Sequence, residues 1–320
     1  WSDTMSDLIV PVPQPVQTDP DKLRWGIVST VKGSLTQIAR FVAYHLDLGA
    51  NRIHVHLDVP DHALADRLFH PKVRFIQCDD AYWQGKPNRA RSTHQMRQVY
   101  NATRIYRISQ LDWLAHIDVD EVLMPPAPLP ELLARVNPNA PFVSMIPSEM
   151  LDATGDPHHF KRPVVGALKR KIYPTYGAHV PGGFIGTQSP KLIARTGLDD
   201  IRQGIHALRL QGKVVRGGAR IEGLELGHAH APDFETFQRH MAYRLARGSY
   251  HDRKGHINPL GHLIRVLMDD PEPEALRAFH HEMCSASPQR LDLLAAHDML
   301  ITRHLDLDAK VTRFFGNLKE

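Results

Sequence analysis

Apolar and polar positions follow a repeating order over the first third of the chain. Residues 25–31 (Trp-Gly-Ile-Val-Ser-Thr-Val) form a short, mostly apolar run that reads as a first strand. Ser34 then stands where an N-cap belongs, ahead of Leu35, Ile38, Val42 and Leu46 at helical spacing, with Gly49 as the stop. Residues 52–57 alternate like a strand, 61–69 predict a short helix and 73–77 another strand. The span 89–109 predicts one long helix carrying Met96, Tyr100, Thr103 and Tyr106. Arg89, Arg91, Arg97 and Arg104 along it read either as phosphate contacts or as a solvated face. This strand–helix rhythm predicts an α/β fold with a doubly wound, mostly parallel sheet. No Gly-x-Gly-x-x-Gly follows the first strand and no Gly-Lys-Ser/Thr loop occurs, which argues against a dinucleotide site and a P-loop.

The run from Trp113 to Ile117 stops abruptly in Asp118-Val119-Asp120-Glu121. If the strand continues through it, alternation puts Asp118 and Asp120 on one side and Val119 on the other. Ligands of open α/β sheets bind beyond the carboxyl ends of strands. Two carboxylates there suit a hard divalent cation, Mn2+ or Mg2+. The same Asp-x-Asp spacing recurs at Asp19-Pro20-Asp21 and Asp306-Leu307-Asp308 without an apolar strand before it, so context singles out Asp118 and Asp120. The plain alternative is a solvated strand-to-loop corner with capping acids.

Residues 8–21 are Pro-rich and predict an extended arm. Beyond Pro125 the pattern changes. Residues 142–146 read as a strand and 148–160 as a loop bearing Glu149, Asp152, Asp156 and His158. Lys169-Arg170-Lys171 and a flexible turn, Pro181-Gly182-Gly183, follow; 191–195 and 213–215 read as strands. Residues 224–230 alternate and end in His228-Ala229-His230, which share a face if the strand runs on. Pro232-Asp233 opens an amphipathic helix with Phe234, Phe237, Met241 and Leu245, stopped at Gly248. The chain from Pro259 is expected to be helical, with Ser287-Pro288 as one start signal. These features suggest an arm over 1–24, an α/β half over 25–125, a second half over 126–250 and a helical extension over 251–320.

Charge adds little direction. Lys plus Arg number 39 and Asp plus Glu 35, giving +4 and a pI near 9.0. A mild, evenly spread basicity suits anionic small molecules or peripheral contact with lipid headgroups, and argues against nucleic acid. Two cysteines, Cys78 and Cys284, fit a reducing compartment, hence a cytoplasmic location. No apolar run approaches the ~20 residues of a membrane span, and no secretory signal is evident. Trp1 to Thr4 read as additions ahead of a native Met5. The 21 histidines are scattered.

Several motifs together resemble family 2-like glycosyltransferases, in the branch related to family 92. They are Ala43-Tyr44-His45-Leu46-Asp47-Leu48-Gly49, Ile53-His54-Val55-His56-Leu57-Asp58, the stretch Trp113 to Glu121, Ser189-Pro190-Lys191, Gly204-Ile205-His206, and His228 followed by Phe237. Departures are Gly33-Ser34 in place of Asn-Glu, Ala229 in place of an aromatic, and the segment Ser148 to Asp152. The resemblance implies a GT-A-type fold with a nucleotide-binding half and a smaller acceptor-side region. It implies inverting transfer of a sugar from a nucleotide diphosphate donor, a UDP-sugar by preference, to a saccharide or other hydroxyl acceptor. Asp118, Asp120 and His228 would hold the Mn2+ or Mg2+. Thr30, Lys32, Asp58, Asp118, Lys191 and His206 would contact the donor, with Lys169 and Arg170 as further cations. Glu149 is the first choice for general base, with Asp152 and Asp156 as rivals. A metal-dependent nucleotidyltransferase and a catalytically inactive sugar-binding module are the competing classes.

Overall fold

The computed structural model describes residues 8–152, 155–246, 250, 256–270 and 274–318. Contacts divide the chain into two compact units. The first takes the chain up to Ile146, Pro190–Leu226 and the segment from Asp306; the second takes Pro147–Ser189 and Gly227–Leu305. The units interleave along the chain where the sequence suggested successive blocks. Two returns cause this in the first unit: strand Lys191–Arg195 pairs antiparallel with Trp113–His116, and helix Leu307–Phe315 packs on Leu35–Asp47. There Arg40 Nε and Nη2 donate to the two Asp308 oxygens at 2.6 and 2.8 Å.

The main sheet of the first unit has the order Val73–Gln77, Arg52–Leu57, Trp25–Val31, Trp113–His116, Lys191–Arg195. The first four are parallel, as the apolar runs predict, and three of them have the expected bounds. From Trp25–Val31 the chain steps outward twice to one side, then returns to pair on the other. The strand order therefore reverses between Trp25–Val31 and Trp113–His116. Trp25, Ile27, Ile53, Val55, Trp113 and Ala115 are fully buried, and each large one contributes roughly 1.5–3 kcal/mol of burial. Gly26 is needed here, since a Cβ would lie 2.4 Å from the Arg52 carbonyl oxygen and 2.5 Å from Leu111 Cδ1. Helix Leu35–Asp47 starts as expected, with Ser34 accepting the Gln37 N–H, and ends before Gly49 at φ +95°.

Two expectations change in this unit. The span 89–109 is two helices, Asn88–Arg91 and His94–Ile108. Thr93 between them is extended and its side chain accepts the Met96 N–H, so a cap competes successfully with helix continuation. The Pro-rich arm is extended but not loose. Leu8–Ile9 pair in parallel with Val215 and Arg216, at the edge of a four-stranded sheet that continues through Leu208–Leu210 to Ile201–Gln203. Val10 and Val12 are buried while Pro11 and Pro13 face solvent, an alternation suited to an edge segment.

In the second unit the expected 148–160 loop is largely a hairpin. The end of Phe142–Met150 pairs antiparallel with His158–Lys161 in the register Glu149↔Lys161 and Met150↔Phe160. Leu300–Arg303 adds a third strand antiparallel to His158–Lys161, so the chain after Pro259 is not wholly helical. Its β-branched Ile301 is buried, which suits a strand. Lys169, Arg170 and Lys171 lie on a short helix, Leu168–Ile172, and Pro181–Gly183 is a 3-10 turn. Helices Phe234–Ala246, Pro259–Asp269, Glu274–Cys284 and Pro288–Ala295 pack on a core that includes Tyr173, Phe237, Phe279 and Met283. Ser287 caps the last by accepting the Arg290 N–H, as Ser287-Pro288 suggests. The strand Ala219–His228 ends at His228, so His230 lies beyond it. The expected stop at Gly248 and the segment Trp1 to Met5 lie outside the described residues. Among the described residues no helix is long and apolar enough to cross a membrane.

The arm yields the first prediction. Val12→Ala should lower the stability of the folded chain by on the order of 1–3 kcal/mol, read as a shifted denaturant midpoint with unchanged slope. Pro13→Ala, at an exposed neighbour, is the control. Equal midpoints for both would show that the arm is not part of the core.

Candidate functional site

Strand Trp113–His116 ends two residues before Asp118. Asp118 to Glu121 form a turn in which the Glu121 N–H donates to the Asp118 carbonyl at 3.1 Å. Strand alternation therefore does not orient Asp118 and Asp120; side-chain bonds from distant elements fix Asp118 instead. Gln98, on helix His94–Ile108, donates its Nε2–H to Asp118 Oδ1 at 2.6 Å. Lys191 Nζ lies 2.5 Å from Asp118 Oδ2 and 2.8 Å from Glu121 Oε2. Glu121 Oε2 also accepts the Asp118 backbone N–H at 2.7 Å. The Lys191 and Glu121 side chains are 3% and 5% exposed and that of Asp118 is 31% exposed, so Asp118 is the member that keeps a face to solvent.

Burial opposes ionisation of Asp118, and so does the nearby charge of Asp120. The Lys191 ammonium outweighs both and holds the carboxyl below its usual range. Burial likewise opposes the charge on Lys191, but Asp118 and Glu121 raise its pKa, so it remains an ammonium.

The motif at 43–49 explains how the turn is held. Tyr44 Oη donates to the Leu123 carbonyl at 2.7 Å, and His45 Nε2 accepts the Leu123 N–H at 3.3 Å. His45 Nδ1–H donates to the Phe41 carbonyl at 2.8 Å. One nitrogen donates and one accepts, which requires the neutral ring, and burial pushes the His45 pKa down to about 4. Two adjacent helix residues thus clamp both backbone groups of a residue two positions past Glu121.

Thr30 is buried at the end of its strand and its Oγ1 accepts the Asn101 Nδ2–H at 3.0 Å. Asn101 Oδ1 accepts in turn from Tyr82 Oη at 2.6 Å. Lys32 is exposed. Asp58 is 6% exposed and engages Arg97 through both oxygens, Nε to Oδ1 at 2.5 Å and Nη2 to Oδ2 at 2.6 Å. His94 Nδ1 is 3.3 Å from Oδ2. Burial opposes ionisation of Asp58, but its bonds to His94 and Arg97 hold its pKa far below the carboxylate norm. His206 lies at the surface with Nδ1 3.2 Å from the Pro190 carbonyl, near enough to Lys191 and Asp118 to feel both charges. Gln98 and Asn101 were not singled out from the sequence, and Arg97 only as one of four bases. The available signal was their polarity on a helix face turned toward the sheet.

Glu149, Asp152 and His228 belong to the second unit. The Glu149 side chain is 3% exposed. Its Oε1 accepts the Gly186 N–H at 2.7 Å, and its Oε2 accepts the Ile185 N–H at 3.2 Å and pairs with Lys161 Nζ at 3.1 Å. Lys161, fully buried, also donates to the carbonyls of Gly183, at 2.7 Å, and Met283. Asp152 is more open, at 32%, and burial and the charge of Asp233 raise its pKa. Its backbone is tied to Cys284 and Ala286. Asp156 Oδ1 accepts the Leu305 N–H at 2.7 Å and lies 2.8 Å from His158 Nδ1. The His228 and His230 rings are 5.1 Å apart, and Arg244 Nη2 donates to His230 Nδ1 at 2.9 Å. A Cβ on Gly186 would sit 3.1 Å from Glu149 Oε1 and 3.5 Å from His228 Nδ1, so the chain passes closely between these two groups.

No family model matches the chain, and no curated protein matches it. Among solved structures, HddC from Yersinia pseudotuberculosis aligns with 13% identity and a TM-score of 0.27, over 41% of this chain and 60% of that one. A CMP:2-keto-3-deoxy-manno-octonic acid synthetase complexed with CTP aligns with 13% identity and a TM-score of 0.27, over 55% of this chain and 72% of that one. Likenesses this slight bear on neither fold nor function.

The Asp58–Arg97 pair generates a pH prediction. A carboxylate whose pKa is lower folded than unfolded adds stability that is full above the unfolded value, about 3.9, and is lost as pH falls toward the folded one. Arg97→Met should therefore destabilise by roughly 3–5 kcal/mol near neutrality, as for a broken buried pair. The gap to wild type should narrow as pH drops below about 4. Melting curves across pH measure it, and a gap constant with pH would contradict an ionic contribution.

Proposed function

We propose that the chain transfers a sugar from a nucleotide diphosphate donor to a hydroxyl acceptor. The donor diphosphate would bind beyond strand Trp113–His116 through a divalent cation at Asp118 and Asp120. The observation that carries this reading is the acidic turn at the point where the strand order reverses, with Asp118 fixed by Gln98 and Lys191. Crevices at such reversals are where open α/β sheets bind ligands. Three carboxylates, Asp118, Asp120 and Glu121, less one ammonium, Lys191, leave a charge of −2, which a divalent cation balances. All the donor atoms are oxygens, as a hard cation prefers. Among the described residues no three His, Cys, Asp or Glu side chains converge into a ready metal cage, so substrate phosphates and water would complete the shell, as is usual for Mg2+.

When bound, the cation would act as a Lewis acid toward charge developing on the departing diphosphate. The chain's own residues have separate tasks in this reading. Lys191 keeps Asp118 ionised and oriented. Thr30, Asp58 and Lys32 line the strand ends where a nucleoside would lie, and His206 supplies a polar contact. The acceptor oxygen bonds to the anomeric carbon as the bond to the diphosphate oxygen breaks, inverting the configuration, and the acceptor proton passes to a carboxylate base. Of the three candidate carboxylates, Asp152 fits better than Glu149 or Asp156, whose Oδ1 is taken by the Leu305 N–H and His158. A base needs an accessible oxygen and a pKa drawn toward the working pH. Asp152 is exposed enough and its pKa is raised, whereas both Glu149 oxygens are already engaged.

Two predictions follow from this assignment. Incubation with UDP-sugars and Mn2+ should release UDP, and calorimetry should show Mn2+-dependent UDP binding that is lost in Asp120→Ala. Release of pyrophosphate from a nucleoside triphosphate instead would identify a nucleotidyltransferase, and UDP binding indifferent to chelator would remove the metal.

For the base, Asp152→Asn should reduce transfer by about 10²–10⁴ while leaving UDP affinity unchanged. Glu149→Gln, judged by melting temperature as well as rate, should lose stability as much as activity. An Asp152→Asn protein with wild-type turnover would exclude it as base.

A further inference from the structure

The amino ends of the first unit's parallel strands carry a basic cavity that the proposed transfer does not use. Arg24 immediately precedes strand Trp25–Val31, Arg52 opens strand Arg52–Leu57, and Leu111 comes just before Trp113–His116. All three are at the amino ends of parallel strands, whereas Asp118 lies past a carboxyl end. Between them is a cavity of about 170 Å3, lined by Arg24, Arg52, His54, Ser109 and Gln110 over an apolar floor that includes Ile105. Arg52 and His54 are two apart on one strand and so face the same way.

Among the described residues Arg24, Arg52 and Arg74 have no acidic side-chain partner. Among the described residues the Arg24 guanidinium has no hydrogen-bond or ion-pair partner. Arg52 gives Nη1–H to the Pro71 carbonyl at 2.9 Å, and Arg74 donates to the carbonyls of Pro71 and Val73. Ser109 Oγ accepts the Leu111 N–H at 3.2 Å, which leaves its own hydroxyl proton to donate elsewhere. Two negative features oppose this charge. Helix His94–Ile108 ends here, worth about half a negative charge, and Asp112 Oδ2 accepts the Arg24 backbone N–H at 2.7 Å. They stand against two arginines that line the cavity, Arg24 and Arg52, with Arg74 near enough to share the Pro71 carbonyl with Arg52. Burial, then the charges of Arg52, Arg74 and Arg104, push the His54 pKa down to about 4, so these groups share one positive potential.

We propose that this cavity is a phosphate-binding site, separate from the Asp118 turn, in which Arg24 and Arg52 grip a phosphate group with Ser109 and His54 as neutral donors. Guanidinium forks match phosphate geometry and give charge-assisted bonds, and a cavity this small admits a phosphate group rather than a whole nucleotide. The phosphate can belong to a soluble compound or to an anionic lipid headgroup, and Ile108, 63% exposed at the rim, is compatible with either.

The test is calorimetric titration of the full chain with inorganic phosphate, against chloride at equal ionic strength. Wild type should bind phosphate in preference to chloride. Arg24→Gln and Arg52→Gln should each weaken that binding by about tenfold or more, while Asp118→Asn leaves it in place. Arg24 is exposed and unpartnered, so its variant carries the test if Arg52→Gln unfolds. Flotation with phosphatidylcholine vesicles, with and without phosphatidylglycerol, separates the sources. Capture by the anionic vesicles that Arg24→Gln weakens and phosphate competes indicates a headgroup; phosphate binding without capture indicates a soluble ligand. Heats no larger than for chloride, or phosphate binding unchanged in folded Arg24→Gln, would overturn the site. So would phosphate binding that disappears in a folded Asp118→Asn protein, which would make it depend on the acidic turn.

Discussion

The ammonium of Lys191, buried between Asp118 and Glu121, is the contact on which the first unit's acidic turn depends. Without it the buried Glu121 carboxylate would stand beside the half-buried Asp118 with Asp120 adjacent, and the turn would open or take up protons. Lys191 reaches that corner because its strand returns from about 70 residues downstream to lie antiparallel against Trp113–His116. Topology and charge are therefore one design: the crossover that widens the sheet also delivers the counterion to its acidic end. Arginine would not substitute freely, since a planar fork cannot occupy a site shaped around a point charge.

The parts legible in the sequence were those governed by neighbouring residues. The strands 25–31, 52–57 and 73–77 are contiguous runs whose burial follows from their own pattern, and the caps at Ser34 and Ser287 act three residues away. The acidic turn was visible as a location, but not as a geometry. Asp118 takes its orientation from Gln98, 20 positions earlier in the chain, and from Lys191, much further on. The same holds for Asp58, whose partner Arg97 is 39 positions away. A periodicity argument sees which face a residue lies on, not which distant cation its carboxylate will meet. The break at Ser92–Thr93 and the pairing of the arm escaped for a related reason. Each is a contest between a local preference and a partner supplied by the fold.

The motif Ala43 to Gly49 shows how a soft sequence signal can have a definite physical role. Its helix carries Tyr44 and His45 side by side, and both act on the backbone of Leu123. Their bonds go to backbone, not to the carboxylates of the turn. They hold the strand that follows Glu121, and so fix the distance from the turn to the core. A neutral, fully buried histidine that donates with one nitrogen and accepts with the other is a rigid spacer, sensitive to any substitution that keeps only one of those roles.

A buried lysine that pins a carboxylate occurs in both units, with different consequences. Lys191 leaves Asp118 about one-third exposed, so the carboxylate is held yet can still meet a ligand. Lys161 and two backbone N–H groups engage Glu149 completely, and Lys161 also binds the carbonyls of Gly183 and Met283. That network ties one strand to the Pro181–Gly186 segment and to the end of helix Glu274–Cys284. A charge so fully compensated has little left to offer a proton or a cation, because any new partner must first displace an existing one at the cost of stranding it in a low-dielectric interior. The same pairing thus makes a sealed anchor in one unit and leaves a carboxylate open to solvent in the other, and the difference is solvent access at the carboxylate.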